Sequence, residues 1–287
     1  MQYGAMNFPI KPVIDEIHAI ADMGMDFVEM ALDPPQGHYQ RIQEQHPAIL
    51  RALRGHGLEL ICHLPTFVHT ADLADSIRRA SVEEIIHSLE AAADLEARKV
   101  VLHPGVIKGL ALYVLDAAMN LAMESLELIA CRARQLGMPV CIENMFMGVG
   151  PFIEPEDFRP VFEAFPEFRM VLDIGHAHIG DVRGDRIERF ITRWGDRLDH
   201  LHASDNHGTR DDHLPLGEGS LPLADTVAAL NRIDYDGTVT LEIFGQSGPR
   251  ILESRARLAE LFRRARRRIP AHTRNPVDFS ITQKEEL

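Results

Sequence analysis

Eight short apolar runs recur along the chain, each followed by a stretch with helical spacing, and this alternation constrains the fold more than any other feature. The extended candidates are residues 3–6, 27–32, 58–64, 99–103, 139–144, 169–174, 198–203 and 238–243. Amphipathic stretches between them include residues 13–23, 47–56, 81–95, 112–136 and 251–267, several opened by a Pro or Ser that suits a helix start. Such alternation specifies an α/β protein with a parallel sheet covered by helices. Eight units of about 30 to 40 residues match a single closed (β/α)8 TIM barrel better than an open doubly wound sheet. No GxGxxG follows the first run, so a dinucleotide fold lacks its usual signal. No Pro-, Gly- or Ser-rich linker divides the chain. One barrel over residues 1–270 is therefore expected, with a non-periodic extension over residues 271–287.

Composition narrows the class. Apolar residues at 45% and charged residues at 25% exclude a disordered or collagen-like chain. No stretch reaches the about 18 uninterrupted apolar residues of a membrane span, and MQYGAMNFPI lacks the parts of a signal peptide. A cytoplasmic location is the default expectation. Cys62, Cys131 and Cys141 have no CxxC spacing, which points to reduced, buried thiols rather than a disulfide or cysteine–zinc framework. A formal charge of -13 opposes broad attraction to nucleic acid, making that partner the less favoured one. The basic run 263–268 reads as the solvated, cation-favoured last turn of a final helix, Trp194 as an anchor between helix and barrel.

The ends of the runs carry the chemistry. They read CHLP with His63, LHPG with His103, CIEN with Glu143, VLDIGHAH with Asp173 and His176, HLHASDN with His202, and TLEIF with Glu242. From His63 through His103, Glu143, Asp173 and His202 to Glu242 the steps are 40, 40, 30, 29 and 40 residues, one strand–helix unit each. In a barrel this places all six around one mouth, where strand-end side chains serve catalysis rather than packing. Carboxylates gathered there repel one another unless a cation lies between them. Glu143, Asp173 and Glu242 with three or more imidazoles offer the mixed oxygen and nitrogen donors that suit Mn, Zn, Fe or Co. Within DIGHAH, the favoured pair is Asp173 with His176.

A second cluster follows the seventh run in HASDNHGTRDDHLPLGEG, where Asp211 and His213 stand two apart with Asp205, His207 and Asp212 nearby. Its glycines permit a path that folds back over the mouth and adds ligands. His69, His87, His178, His200 and His207 fall outside the strand-end register or one position from it and read as structural or as groups that orient a ligand, His178 beside His176 being the nearest case.

CHLP, LHPG, CIEN, VLDIGHAH, HLHASDN, GTRDDHLPLGEG and TLEIF, in that order, resemble the xylose isomerase-like TIM-barrel superfamily, which includes sugar isomerases and epimerases and the endonuclease IV group. The resemblance implies a divalent metal, one to three ions of Mn, Zn or Co per chain. On the epimerase side it implies one ion held by Glu143, Asp173, His202 and Glu242. Glu143 and Glu242 would be the acid/base pair that moves a proton beside the carbonyl of a sugar or sugar phosphate through an enediolate, with His176 and His63 contacting substrate. On the endonuclease IV side it implies a zinc-dependent phosphoester hydrolase acting on DNA or on a small phosphorylated metabolite. That site uses His63, His103, Glu143, Asp173, His176, His202, Asp211, His213 and Glu242 together. The charge, and a segment LPTFVHT without an Arg or Tyr set to open a duplex, weigh against DNA. A small-molecule substrate is expected, no membrane partner, and by resemblance a homo-oligomer is open. A non-catalytic barrel has no need of carboxylates opposed across a metal.

Overall fold

The computed structural model describes residues 1–245 and 248–268. The extension expected over residues 271–287 lies outside the described residues. Eight parallel strands pair each with the next, and the last closes on the first: β1 (Gln2–Met6), β2 (Phe27–Ala31), β3 (Glu59–His63), β4 (Val100–Leu102), β5 (Val140–Glu143), β6 (Arg169–Asp173), β7 (Leu198–Ala203) and β8 (Thr238–Leu241). Helices cover the barrel outside: α1 (Val13–Asp22), α2 (Tyr39–His56), α3 (Asp75–Asp94), α4 (Leu115–Leu136), α5 (Arg159–Ala164), α6 (Ile174–His178), α7 (Asp185–Trp194), α8 (Leu223–Arg232) and α9 (Gly248–Arg268). None is long and apolar enough to cross a membrane.

The strands are buried on both faces. Outward residues such as Val28, Met30, Leu60, Cys62, Ile142 and Leu172 join the helix-covered core, while Phe27, Ile61, Val101, Cys141 and Val171 form a separate layer inside the barrel. Burial of each such side chain contributes roughly 1.5–3 kcal/mol. Phe27 has room inside because Gly4 faces it across the β1–β2 pairing, and a Cβ at Gly4 would overlap its ring.

Three expectations shift. A start at Pro47 fits the preference for proline in a first helical turn, but α2 begins eight residues earlier and runs through it. The apolar stripe Ile42, Ile49, Ala52 and Leu53 is buried along the whole helix while Pro47 faces solvent, where water can replace the lost hydrogen bond. Cys131 is exposed on α4, unlike Cys62 and Cys141. Trp194 anchors neighbouring segments to one another rather than helix to barrel: Nε1 donates to the Pro155 carbonyl at 2.7 Å and the ring packs on Phe162. The run near residue 263 is a solvated face, with Arg263 and Arg264 on Glu260 and Arg266 on Asp236.

Candidate metal centre

Side chains two apart on a strand share a face. Two residues beyond Phe27, Ile61, Val101, Cys141 and Val171 stand Glu29, His63, His103, Glu143 and Asp173. The same step leads from His200 to His202 on β7 and from Thr240 to Glu242 at the end of β8. An apolar floor is thus overlaid by a polar layer, and every strand-end residue expected from the spacing arrives at one mouth.

The donor atoms converge in three groups. Glu143 Oε2 lies 3.2 Å from both His63 Nε2 and His103 Nε2. Glu143, Asp173, His202 and Glu242 bring one donor each within 4.8 Å of one another, with His202 Nδ1 3.1 Å from Glu143 Oε1 and 3.2 Å from Glu242 Oε2. Asp211 Oδ2 lies 2.8 Å from His213 Nε2 and 3.3 Å from His176 Nε2. Glu143 touches the first two groups, and its Oε1 lies 3.4 Å from His176 Nδ1.

The other nitrogen of most of these imidazoles is already committed. His63 Nδ1 donates to the Leu64 carbonyl at 2.8 Å, His176 Nδ1 to the Asn144 carbonyl at 2.9 Å, and His213 Nδ1 to the Glu242 carbonyl at 3.0 Å. His202 Nε2 donates to Glu29 Oε1 at 2.9 Å. A neutral imidazole with one N–H so placed turns the lone pair of its other nitrogen toward a carboxylate oxygen. Acceptor facing acceptor at such distances requires a cation between them, either a proton or a metal ion. Among the protein's own groups the balance is struck with protons. Burial pulls His63 down most strongly, but its hydrogen bond to Glu143 and the charges of Glu143 and Glu29 together outweigh this and raise it to about 9. Burial drives Asp173 up to about 7, His176 opposing and the charges of Glu242 and Glu143 assisting. Asp173 Oδ2, Asp211 Oδ1 and Glu242 Oε2 are buried without a hydrogen-bond partner among the described residues. Orphaned carboxylate oxygens beside imidazole lone pairs fit a divalent ion with mixed nitrogen and oxygen donors.

Local structure explains the precision. Asn144 extends the β5–β6 ladder with its side chain, accepting from Asp173 N at 2.8 Å and donating to the Asp173 carbonyl at 3.0 Å. Asp173 caps the short helix α6 by accepting from His176 N, which fixes their relative placement. The loop after β7 folds back over the mouth as expected. Asp205, expected only as a nearby acid, organises it by accepting from the amides of Asn206, Gly217 and Leu221 at 2.7–3.0 Å, and it bridges antiparallel to Leu214. Gly219 passes so close to the Asn206 carbonyl and Asp205 that a Cβ would collide with both. Asp212 turns aside to pair with Arg210. His178 sits beside the Ser220 hydroxyl at 3.0 Å and points away from the donor groups.

A cavity of about 560 Å3 opens above the centre. His63, His103, His176, Asp211, His213 and Glu242 line it, whereas Glu143, Asp173 and His202 lie beneath, 0–1% exposed. Four phenylalanines stand in its walls: Phe146 packs on His176 and Phe244 on His213, each with centroids 4.7 Å apart, and Phe8 and Phe67 add to the lining. Lys108 is the only lysine or arginine in the lining, among the described residues.

Glu29 was not anticipated from the strand ends. It lies in the middle of β2, wholly buried, and joins His202 to His200. The alternation that connects Ile61 to His63 connects Phe27 to Glu29, so the signal is present, one layer deeper than the ends.

Several known proteins resemble this chain in sequence or fold. The xylose isomerase-like TIM barrel profile matches residues 17–267. The protein MJ1311 of Methanocaldococcus jannaschii is 27% identical over 250 residues, covering 84% of this chain and 83% of that one. The structure of a D-tagatose 3-epimerase-like protein superposes with a TM-score of 0.81 at 23% identity, over 93% of this chain and 99% of that chain. The TTHB071 protein of Thermus thermophilus, whose crystals were soaked with ZnCl2, superposes with a TM-score of 0.70 at 27% identity, over 91% and 98% of the two chains. With a closed eight-stranded barrel and a profile match across most of its length, the chain belongs to the xylose isomerase-like TIM barrel family.

Proposed function

We propose that the protein is a metal-dependent isomerase or epimerase of a sugar or sugar phosphate. The observation that carries this reading is the placing of two glutamates, Glu143 and Glu242, in one buried cluster with Asp173 and His202 at the foot of a cavity of small-molecule size. Likeness to a D-tagatose 3-epimerase-like protein supports it. When bound, a divalent ion held by these four residues supplies positive charge for the enediolate oxygens. Glu242 reaches the cavity wall and is the carboxylate placed to take the proton beside a substrate carbonyl; Glu143, from the floor, is the group that returns it. The aromatic walls pack on the C–H faces of a sugar and exclude water, while His176, His63 and Lys108 contact its oxygens. Glu242→Gln in the full chain is expected to lower turnover of any ketose or ketose phosphate it accepts by about 10^2–10^4-fold with the fold unchanged. Unaltered turnover removes this role.

A second reading, zinc-dependent phosphoester hydrolysis of a small metabolite, is favoured by one specific observation. Beyond the four-residue cluster, His63 and His103 converge on Glu143 Oε2 and His176 and His213 on Asp211 Oδ2, donor sets of the kind that further ions would need. Elemental analysis of protein purified without chelator separates the readings. About one Mn, Co or Zn per chain supports the isomerase, and two or three Zn per chain move the assignment to hydrolysis. No metal overturns both.

A further inference from the structure

His63, His176 and His213 hang from main-chain carbonyls, an anchor that no side-chain change removes. His202 differs, because its Nε2–H is received by a side chain, Glu29 Oε1, at 2.9 Å. The register explains why Glu29 can reach it. Glu29 pairs with Ile61 and not with His63, so it sits below the mouth, fully buried and outside the cavity lining. Its second oxygen accepts from His200 Nε2 at 2.9 Å and from the Thr240 hydroxyl, and His200 Nδ1 is in turn held by the Thr238 hydroxyl at 2.6 Å. The carboxylate is therefore fixed by groups from β7 and β8 before any ligand arrives.

We infer that Glu29 is the positioning residue of the metal centre: by receiving the Nε2 proton it sets the tautomer of His202 and aims the Nδ1 lone pair at the space between Glu143, Asp173 and Glu242. The inference rests on reading those four residues as a metal site. A carboxylate inside a barrel is costly to desolvate, and at a position that needs only to fill space an apolar side chain serves better. Glu29, His200 and His202 also converge closely enough to hold an ion themselves. Three donated hydrogen bonds already occupy the Glu29 oxygens, so the geometry is that of a proton-filled network, and metal lies only on the Nδ1 side of His202. A carboxylate behind a ligating imidazole raises its basicity and holds its ring, and loss of such a partner weakens metal binding about 10–100-fold.

The test is Zn affinity of the full chain by competition with a chromophoric chelator, read on the equivalent that Asp173→Asn abolishes, together with the visible spectrum of the Co(II)-loaded protein. Glu29→Gln keeps size but cannot receive both imidazole N–H groups. It is expected to weaken that equivalent about 10–100-fold and to alter the Co(II) bands, while any further equivalent that Asp173→Asn leaves in place is unmoved. A folded Glu29→Gln protein with wild-type Zn affinity and spectrum overturns the inference. Where Glu29→Gln fails to fold, Thr240→Val decides: removing one hydroxyl from Glu29 is expected to weaken Zn several-fold, and unchanged affinity overturns the inference equally. Wild-type protein that takes up no Zn or Co removes the metal reading together with it, whereas a metal-binding wild type beside an unaffected variant removes the anchoring role alone.

Discussion

An imidazole nitrogen carries either a proton or a lone pair, and most of the centre can be read from which nitrogen is which. Nδ1 of His63, His176 and His213 spends its proton on a carbonyl, so Nε2 faces Glu143 or Asp211 as a donor to a cation. Replacement of His63 by Ala therefore discriminates chemistry at a single residue. A mononuclear isomerase keeps its metal content, whereas a multinuclear hydrolase loses about one equivalent, measured by elemental analysis. Glu143 is the most connected carboxylate, within 3.4 Å of four imidazoles. Burial opposes its ionisation, but the charges of His202 and His103 prevail and hold it well below the usual carboxylate range. Glu143→Gln removes that charge from among the imidazoles. Turnover is expected to collapse by orders of magnitude and metal content to fall with it, whereas Glu242→Gln, whose residue lines the cavity, is expected to cost turnover with the smaller loss of metal.

At the scale of elements, alternation along the strands does the placing. Six expected strand-end residues reach the mouth because each lies two positions beyond a residue pointing into the barrel, and one register slip would turn it outward. The loop after β7 has no such periodicity, and its course depends on Asp205 receiving three backbone amides. Each amide left buried without a partner costs about 1–3 kcal/mol. Asp205→Ala is expected to release the loop that carries Asp211 and His213, leaving the Glu143 cluster nearly intact; under the hydrolase reading, an ion at His176, Asp211 and His213 is weakened at least tenfold. Zn stoichiometry and affinity check this, and equal loss at both groups contradicts it.

Across the whole molecule, the candidate site and a buried ion pair occupy opposite ends of the barrel. At the floor Lys99 Nζ, almost fully buried, pairs with Asp199 Oδ2 at 2.7 Å. Burial resists ionisation of Asp199, but Lys99 outweighs it and lowers its carboxyl below the ordinary value. The stability this lends is present above about pH 4, the ordinary aspartate value, and is lost as pH falls through the depressed one. Asp199 is well exposed, so solvent screening keeps the contribution on the order of 1 kcal/mol. Lys99→Met is expected to lower the denaturation midpoint near neutral pH, with less effect in acid, and to leave metal content unchanged. At the mouth the dependence reverses under the proposed function: a metal ion that binds only the folded chain would, at about 100 times its Kd, add ~2.7 kcal/mol. Chelation should then lower Tm by roughly 5–10 °C, a shift restored by Zn or Mn and followed by calorimetry.

The sequence by itself determined the barrel, because strand–helix alternation at unit length leaves few other ways to bury eight apolar runs. It also determined the set of strand-end donors, since a period of two carries each from the interior layer to the mouth. Only the tertiary structure decided what those donors face. Barrel shear places Glu29 a layer below His63, beside His202, although the two are 173 positions apart. The path of the β7 loop decides that Asp211 and His213, but not Asp212 or His207, meet His176. For His63, His176, His202 and His213, which nitrogen is free is decided by the carbonyl or carboxylate behind it, and that neighbour belongs to another part of the chain for all but His63.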